Sequence, residues 1–505
     1  MRIFGIFSSN INHMSDECMF TENSISIYDF VCALSEAVDL VSHDLNSHHK
    51  KVAYISWMIA QEMKLSNDEI QDIILASMLH DIGAFTIEER IKLLTLESSD
   101  IGQNQHAILG YKLLKGFAPL AKEAALIRHH HTSYSKARRG IPLGSYIIHL
   151  ADKVAVLLDE RHEILEQIPE IRAKIFERQD MFHPKTFMAF IRLADLESFW
   201  IEAFLPPLGG AVMLKKVRFS KEIMDLATLR KFAKIFAHLI DFRSRFTATH
   251  SSGVAAVALE LAILDGFPER ECKLMEIAGF FHDLGKLTVP NDILEKNGAL
   301  NQDEIHSIKK HTYYTYVILS KINGLENIAT WAAYHHERPD GKGYPFHVQG
   351  ENFSRLARIM AVADIMTALM EDRPYSLGME QEKATKILHA MVENGGLDKN
   401  IVELVDENFL RINKVRRKAQ AAAQKEYDAF YKAVNNLEKK KKAHARLHAA
   451  PVINLTDKHR QGYGFGVVNR PKRPYARGSR PNIIPVLPHL AVSVPEGKNS
   501  QKETV

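Results

Sequence analysis

The sequence predicts an all-α protein made of two helical bundles in tandem, and three observations predict it. Apolar residues recur at helical spacing: Leu274, Ile277, Ala278 and Phe281 in "KLMEIAGFFHDLGK" fall at i, i+3, i+4 and i+7. His250, Val254, Val257, Ala258 and Leu261 share a face of "HSSGVAAVALELAILDG" in the same way. There is no series of alternating strands. Finally, the polar landmarks of the first half return in the same order in the second.

The elements follow in order. Residues 1–204 read as the first bundle. Its start, "MRIFGIFSSNINHMSDECMF", lacks the charged head and apolar stretch of a secretory signal. Residues 205–220, "LPPLGGAVMLKKVRFS", read as a linker because Pro-Pro and Gly-Gly break helices. Residues 221–410 form the second bundle. Residues 411–448 are rich in Ala, Lys and Gln and read as a separate basic helix. Residues 449–505 are rich in Pro, Gly and Arg and read as a disordered basic tail.

Charge divides the chain. From Arg411 onward there are 21 Lys and Arg against 6 Asp and Glu, a net +15; the whole chain nets +4, so the preceding part nets −11. Such a tail is expected either to be solvated or to meet an anionic surface or polymer. No run of uncharged apolar residues is long enough to span a membrane. The three cysteines, Cys18, Cys32 and Cys272, form no C-x-x-C pair, which argues against a disulfide framework and a zinc knuckle. A cytoplasmic setting is the expectation.

The repeat is carried by polar positions. His48 and His250, His80-Asp81 and His282-Asp283, His106 and His311, His130-His131 and His335-His336, and Asp152 and Asp364 correspond, with offsets growing through 202, 205 and 212. Arg161 and Arg373 each lie nine residues after the final aspartate. Inward-facing imidazoles and carboxylates need partners or metals. Their mixture suits iron, manganese or zinc better than magnesium or calcium. Seven ligands exceed one tetrahedral zinc and suit two metals bridged by a carboxylate.

These residues carry a resemblance. The series His250, His282-Asp283, His311, His335-His336, Asp364 resembles the HD superfamily of metal-dependent phosphohydrolases. "HDLGK" with "HHERPDGKGYP" resembles its HD-GYP branch, over about residues 225–410. The resemblance implies a phosphodiesterase that hydrolyses cyclic di-GMP to linear pGpG, GMP or both, with 3′3′-cyclic GMP-AMP as the alternative substrate. It implies two divalent transition metals, iron or manganese. His250, His282, Asp283 and Asp364 would hold one, and Asp283, His311, His335 and His336 the other. Asp283 and Lys286 would be catalytic. Lys286, Arg338, Asp340, Lys342, Tyr344 and Arg373 would contact substrate, Arg338 by a bidentate grip on phosphate.

Three departures stand out. Phe246 occupies a position where some members carry a third-metal glutamate, so two metals are expected. Thr367 and Ser376 replace an aspartate and a lysine common in the family.

The first half keeps the ligand types but has Ala84 for the lysine and "HHHTSYSKARRG" for the GYP loop. It reads as a related HD domain, regulatory or directed at another substrate. Two other functions compete: a nucleotidase or alarmone hydrolase, against which the GYP loop argues, and a non-catalytic cyclic-dinucleotide sensor, against which the complete ligand set argues. A homodimer and an anionic partner for the tail stay open as associations.

Overall fold

The computed structural model describes residues 25–39, 47–84, 100–137, 139–217, 219, 224–241, 249–296, 298–372 and 378–448. Arg373, Ser376, Phe246 and the expected disordered segment 449–505 lie outside them.

The first half contains α1 (Ile27–Asp39), α2 (His48–Glu62), α3 (Asn67–Met78), α4 (Asp100–Leu114), α5 (Ala121–Ile127), α6 (Leu143–Val156), α7 (Ile164–Glu177), α8 (Pro184–Leu193), α9 (Glu197–Phe204) and α10 (Pro206–Lys216). The second contains α11 (Leu226–Asp241), α12 (His250–Leu264), α13 (Glu269–Phe281), α14 (Asn291–Leu294), α15 (Gln302–Leu319), α16 (Glu326–Ala333), α17 (Arg355–Met370), α18 (Gln381–Glu393) and α19 (Lys399–His448). Among the described residues there is no strand beyond a single bridge at Ser26. None of these helices is long and apolar enough to cross a membrane.

Local chemistry sets these boundaries. Both α3 and α15 open on a capping box, Ser66 with Glu69 and Asn301 with Glu304, in which side chain and backbone satisfy each other's free groups. The duplication is structural: α2, α3, α4, α5 and α6 correspond in order to α12, α13, α15, α16 and α17. In each half one glycine lets the His-Asp turn lie directly on the helix bearing the next histidine. A Cβ on Gly83 would stand 2.1 Å from the His106 carbonyl oxygen. A Cβ on Gly285 would collide with the carbonyl oxygen of His311 in the same manner.

One expectation is corrected and one refined. The 205–220 segment is mostly helix: α10 begins at Pro206, where a first-turn proline costs no hydrogen bond. Gly209 then allows close packing, since a Cβ there would lie 2.8 Å from the Tyr54 ring. The basic helix expected over 411–448 is present: within α19, Asn408 departs from helical geometry and separates a short helix starting at Lys399 from the long one that follows. Ile412, Arg416 and Ala423 are buried, and the helix packs against α12. Apolar and long side chains spaced along one face of this polar helix supply the burial that composition alone conceals.

One hydrophobic cluster runs through both halves. α1 joins them. Phe30 packs against Phe232, Phe236 and Phe281 at ring-centroid distances of 4.5, 5.9 and 5.4 Å. Cys32 Sγ lies 3.8 Å from Met78 Sδ. α1 therefore touches the residue before His282 and the residue two before His80.

Candidate active site

His282 and Asp283 sit where α13 gives way to a 3-10 turn over Leu284–Thr288, rather than within a continuous helix. The tighter turn brings Lys286 back over its own i−3 neighbour, with Nζ 2.6 Å from Asp283 Oδ2. His311 projects from α15, His335 and His336 from the short turn after α16, Asp364 from the middle of α17, and His250 from the first position of α12.

Three imidazoles are oriented by the backbone. Nδ1 of His282, His311 and His335 lies 2.8, 2.6 and 2.7 Å from the carbonyl oxygens of Gly279, Ile308 and Ala332. A proton on each Nδ1 donates to that carbonyl, so Nε2 presents its lone pair to the interior. His250 opens its helix and has no preceding turn to use. Its Nδ1 faces Glu371 Oε2 at 3.2 Å, and its Nε2 faces Asp364 Oδ1 at 3.1 Å.

The inward atoms converge. His282 Nε2 lies 3.2 Å from Asp283 Oδ2 and 3.9 Å from Asp364 Oδ1. Asp283 Oδ1 lies 3.4 Å from His311 Nε2 and 3.9 Å from His335 Nε2. His336 Nδ1 is 4.0 Å from Asp364 Oδ2. The structure thus brings together all seven residues proposed as ligands from the sequence, with Asp283 directing one oxygen to each side.

Burial opposes ionisation of Asp283, yet His282 and Lys286 hold it well below the usual carboxylate range. Burial together with His282 pushes His335 down to about 4, and burial lowers His311 despite Asp283. Burial alone would also depress His250, but the carboxylates of Glu371 and Asp364 raise it to about 10.

His282 Nε2 and Asp283 Oδ1 are buried without a hydrogen-bond partner. Ligand atoms of His250, His282 and Asp283 lie within 4.8 Å of one another, as do those of His311, His335 and His336. Orphaned buried donors of nitrogen and carboxylate type fit divalent transition metals.

The following loop spends most of its polar groups on itself. Arg338 forms a fork with Asp340, at 3.0 and 2.8 Å, and donates to the Asn394 carbonyl at 2.8 Å. Asp340 also accepts from the Lys342 backbone at 3.0 Å. The expected bidentate grip of Arg338 on phosphate is revised accordingly: this pair ties the loop to the end of α18. Lys342 remains largely exposed. Tyr344 lays its ring on His336, centroids 5.0 Å apart, and so forms a wall of the site.

Sequence reasoning missed several supports. Glu337 is buried and accepts from the backbone of Phe346, His347 and Val348 at 2.7, 3.2 and 3.3 Å. Glu371 orients His250 and is itself held by Gln420 of α19, at 3.2 Å. Asp241 accepts from the backbone and hydroxyl of Ser251, at 3.2 and 2.8 Å, securing the start of α12. A buried acid beside a ligand motif is the signal for Glu337 and Glu371; Gln420, 56 residues beyond Asp364 in sequence, has no local signal.

The first half assembles the same arrangement. His48 Nε2 lies 3.3 Å from Asp152 Oδ1, His80 Nε2 3.3 Å from Asp81 Oδ2, and His106 Nε2 3.0 Å from Asp81 Oδ1. His130 and His131 complete it, and the ligand atoms of Asp81, His106, His130 and His131 again fall within 4.8 Å. What differs is the mouth. Buried Ala84 stands in the lysine position, and buried Lys153 approaches Asp152 at 3.5 Å.

Comparison with known proteins matches this duplication. Two family models described as HD domain match, one over residues 46–157 and the other over residues 234–401. The chain is 30% identical to 3′3′-cGAMP-specific phosphodiesterase 1 of Vibrio cholerae over 75% of this chain and 90% of that protein. It is 36% identical to a cyclic di-GMP phosphodiesterase response regulator of Xanthomonas campestris, over 30% of this chain and 41% of that protein. A crystal structure of a cyclic GMP-AMP specific phosphodiesterase from Vibrio cholerae shares the fold. It has a TM-score of 0.53 at 23% identity, covering 80% of this chain and 98% of that one.

Proposed function

The chain belongs to the HD-GYP family of cyclic-dinucleotide phosphodiesterases, with a further HD domain ahead of the catalytic one, and from that premise we propose that its second half hydrolyses 3′3′-cyclic GMP-AMP. One observation carries the chemistry. Five imidazoles and two carboxylates converge around Asp283, with the Lys286 ammonium at the rim. The base preference is supported by the relative that matches through both halves and is named for that substrate. Cyclic di-GMP is the second reading, favoured by a relative named for that substrate that matches 30% of this chain.

His250, His282, Asp283 and Asp364 would hold one metal and Asp283, His311, His335 and His336 the other, with iron or manganese suiting the donor set. Bound there, the pair supplies Lewis acidity to the scissile phosphate and an activated water. The chain's own groups do the rest. Lys286 brings a positive charge to the phosphate oxygens and balances charge as the bridging linkage breaks. Tyr344 and His336 form a flat wall against which a sugar or base can rest. The first cleavage opens the ring to a linear dinucleotide; a second yields mononucleotides.

The test is product analysis of metal-loaded full chain against a panel of cyclic dinucleotides, beside Asp283→Ala. The proposal expects cyclic GMP-AMP to give the highest kcat/KM and Asp283→Ala to lose turnover by more than about a thousandfold, since both metals lose a ligand. Preference for cyclic di-GMP would replace the substrate assignment. Near-normal turnover by Asp283→Ala would refute the site.

A further inference from the structure

The two halves divide their ligands differently. In the second half Asp283 groups with His250 and His282, while His311, His335 and His336 form a group of three. In the first half the aspartate crosses over, and Asp81 groups with His106, His130 and His131. These four make a tight knot. His106 Nε2 lies 3.0 Å from Asp81 Oδ1, 3.2 Å from His130 Nε2 and 3.0 Å from His131 Nε2. His130 Nε2 lies 3.6 Å from Asp81 Oδ1. Ligands about 2.0–2.1 Å from a tetrahedral zinc stand about 3.3–3.4 Å from one another, so the knot has the dimensions of such a shell.

Its lone pairs call for a cation. His130 Nδ1 lies 2.7 Å from the Ile127 carbonyl oxygen and donates to it, so Nε2 presents a lone pair. His106 Nε2 stands between that nitrogen and His131 Nε2, and one proton there satisfies only one of the two. Asp81 Oδ1, buried without a hydrogen-bond partner, adds negative charge. A divalent ion answers all four atoms at once. The knot is also closed. His130 and His131 are 0% and 2% exposed, and buried Ala84 stands where Lys286 marks the mouth of the second half. Behind the histidines, His149 Nδ1 lies 2.9 Å from the His130 carbonyl oxygen, and its ring rests on buried Phe182 with centroids 5.6 Å apart. The second half has the less buried His336 in the position of His131. Structural zinc sites are closed by four protein ligands, whereas catalytic ones keep a position open. His48, His80 and Asp152 form the remaining group, with three ligands. There Asp152 already meets Lys153 Nζ at 3.5 Å, where the second half has Ile365.

We propose that the first half holds a single zinc ion, bound by Asp81, His106, His130 and His131, as a closed structural centre that does no hydrolysis. His48, His80 and Asp152 stay outside the shell, and Lys153 answers the Asp152 charge in place of a second metal. The aspartate of the His-Asp pair is thus a ligand while its histidine is not. The assignment stands independently of which dinucleotide the second half cleaves.

The experiment uses the full chain carrying Asp283→Ala and His311→Ala, which disable the second centre so that the first is read alone. Elemental analysis counts zinc after loading and gel filtration. Cobalt substitution reports the coordination number, because its visible absorption is intense with four ligands and weak with six. One zinc per chain and an intense cobalt band are expected. Adding His131→Ala or His106→Gln should weaken zinc binding more than about a hundredfold in chelator competition, beyond the usual cost of an outer partner. Adding His48→Ala should leave it within about threefold. Circular dichroism checks that each variant folds. Wild type should keep one zinc through a chelator wash that strips the second half, since a closed shell offers the chelator no free position. Should the variants fail to fold, that wash and a cobalt spectrum of the washed wild type decide. No zinc, two zinc ions in the first half, a weak cobalt band, retention in His131→Ala or loss in His48→Ala would each overturn the assignment.

Discussion

Replacing Glu371 isolates what holds His250 in place. The other three buried imidazoles anchor Nδ1 on a carbonyl three residues earlier, whereas His250 relies on Glu371 at 3.2 Å. Glu371 is 5% exposed, so water cannot readily take its place. A buried hydrogen bond to a charged group contributes about 1.5–3 kcal/mol, and loss of such an outer partner typically costs about 10–100-fold in metal affinity or activity. Glu371→Ala should therefore lose roughly that much metal affinity, measured by competition with a chelator, with kcat falling in parallel. Glu371→Gln keeps an acceptor for Nδ1–H and should lose about tenfold or less. Gln420→Ala, which removes the 3.2 Å contact to Glu371, should cost a few-fold. Because Gln420 acts through Glu371, combining it with Glu371→Ala should add almost nothing. Wild-type metal retention in Glu371→Ala, or an undiminished Gln420 effect in its absence, would refute this chain of support.

Other outcomes follow from the same geometry. Lys286→Ala should lower kcat about 10–100-fold while leaving metal content unchanged, because its ammonium meets charge at the rim and ligates nothing; elemental analysis beside kinetics checks both. Replacing His80 and Asp81 together by alanine should lower the metal content of the full chain while leaving cyclic-dinucleotide turnover within a few-fold; complete loss with the second centre still loaded would move the chemistry to the first half. Truncation after residue 410 should lower the thermal midpoint. It removes buried Ile412 and Ala423, and a buried isoleucine alone contributes about 1.5–3 kcal/mol out of the roughly 5–15 typical of a domain. An unchanged midpoint by calorimetry would show that α19 packs too loosely to matter.

The helical class and the seven converging residues were legible because their signals are local. Period 3.6 marks an apolar face, and two adjacent histidines or a His-Asp pair carry their spacing with them. The internal repeat added a second copy against which to check each position. What was not legible depends on the path of the chain in space. Pro-Pro and Gly-Gly suggested a break at 205–220, but Pro206 opens α10 and Gly209 permits its contact with Tyr54. Composition marked 411–448 as a basic helix but concealed the buried face that Ile412, Arg416 and Ala423 give it. Arg338 looked available to substrate until Asp340 was seen to occupy its fork. The sequence put cyclic di-GMP before 3′3′-cyclic GMP-AMP, and base preference left no local mark that decides between them.

α19 also has mechanical standing. Gln420 holds it at Glu371, Glu426 pairs with Lys234 and His238 of α11 at 2.7 and 3.1 Å, and the helix then continues for 22 residues to His448, about 33 Å at the usual rise. A stiff rod held near one end acts as a lever: a small force at the far end becomes torque at the anchor. Most of the +15 charge from Arg411 onward lies beyond that anchor. Tension on the basic end, applied by any anionic surface that grips it, thus falls first on the Glu426 pairs with α11 and, behind them, on the Gln420–Glu371 contact.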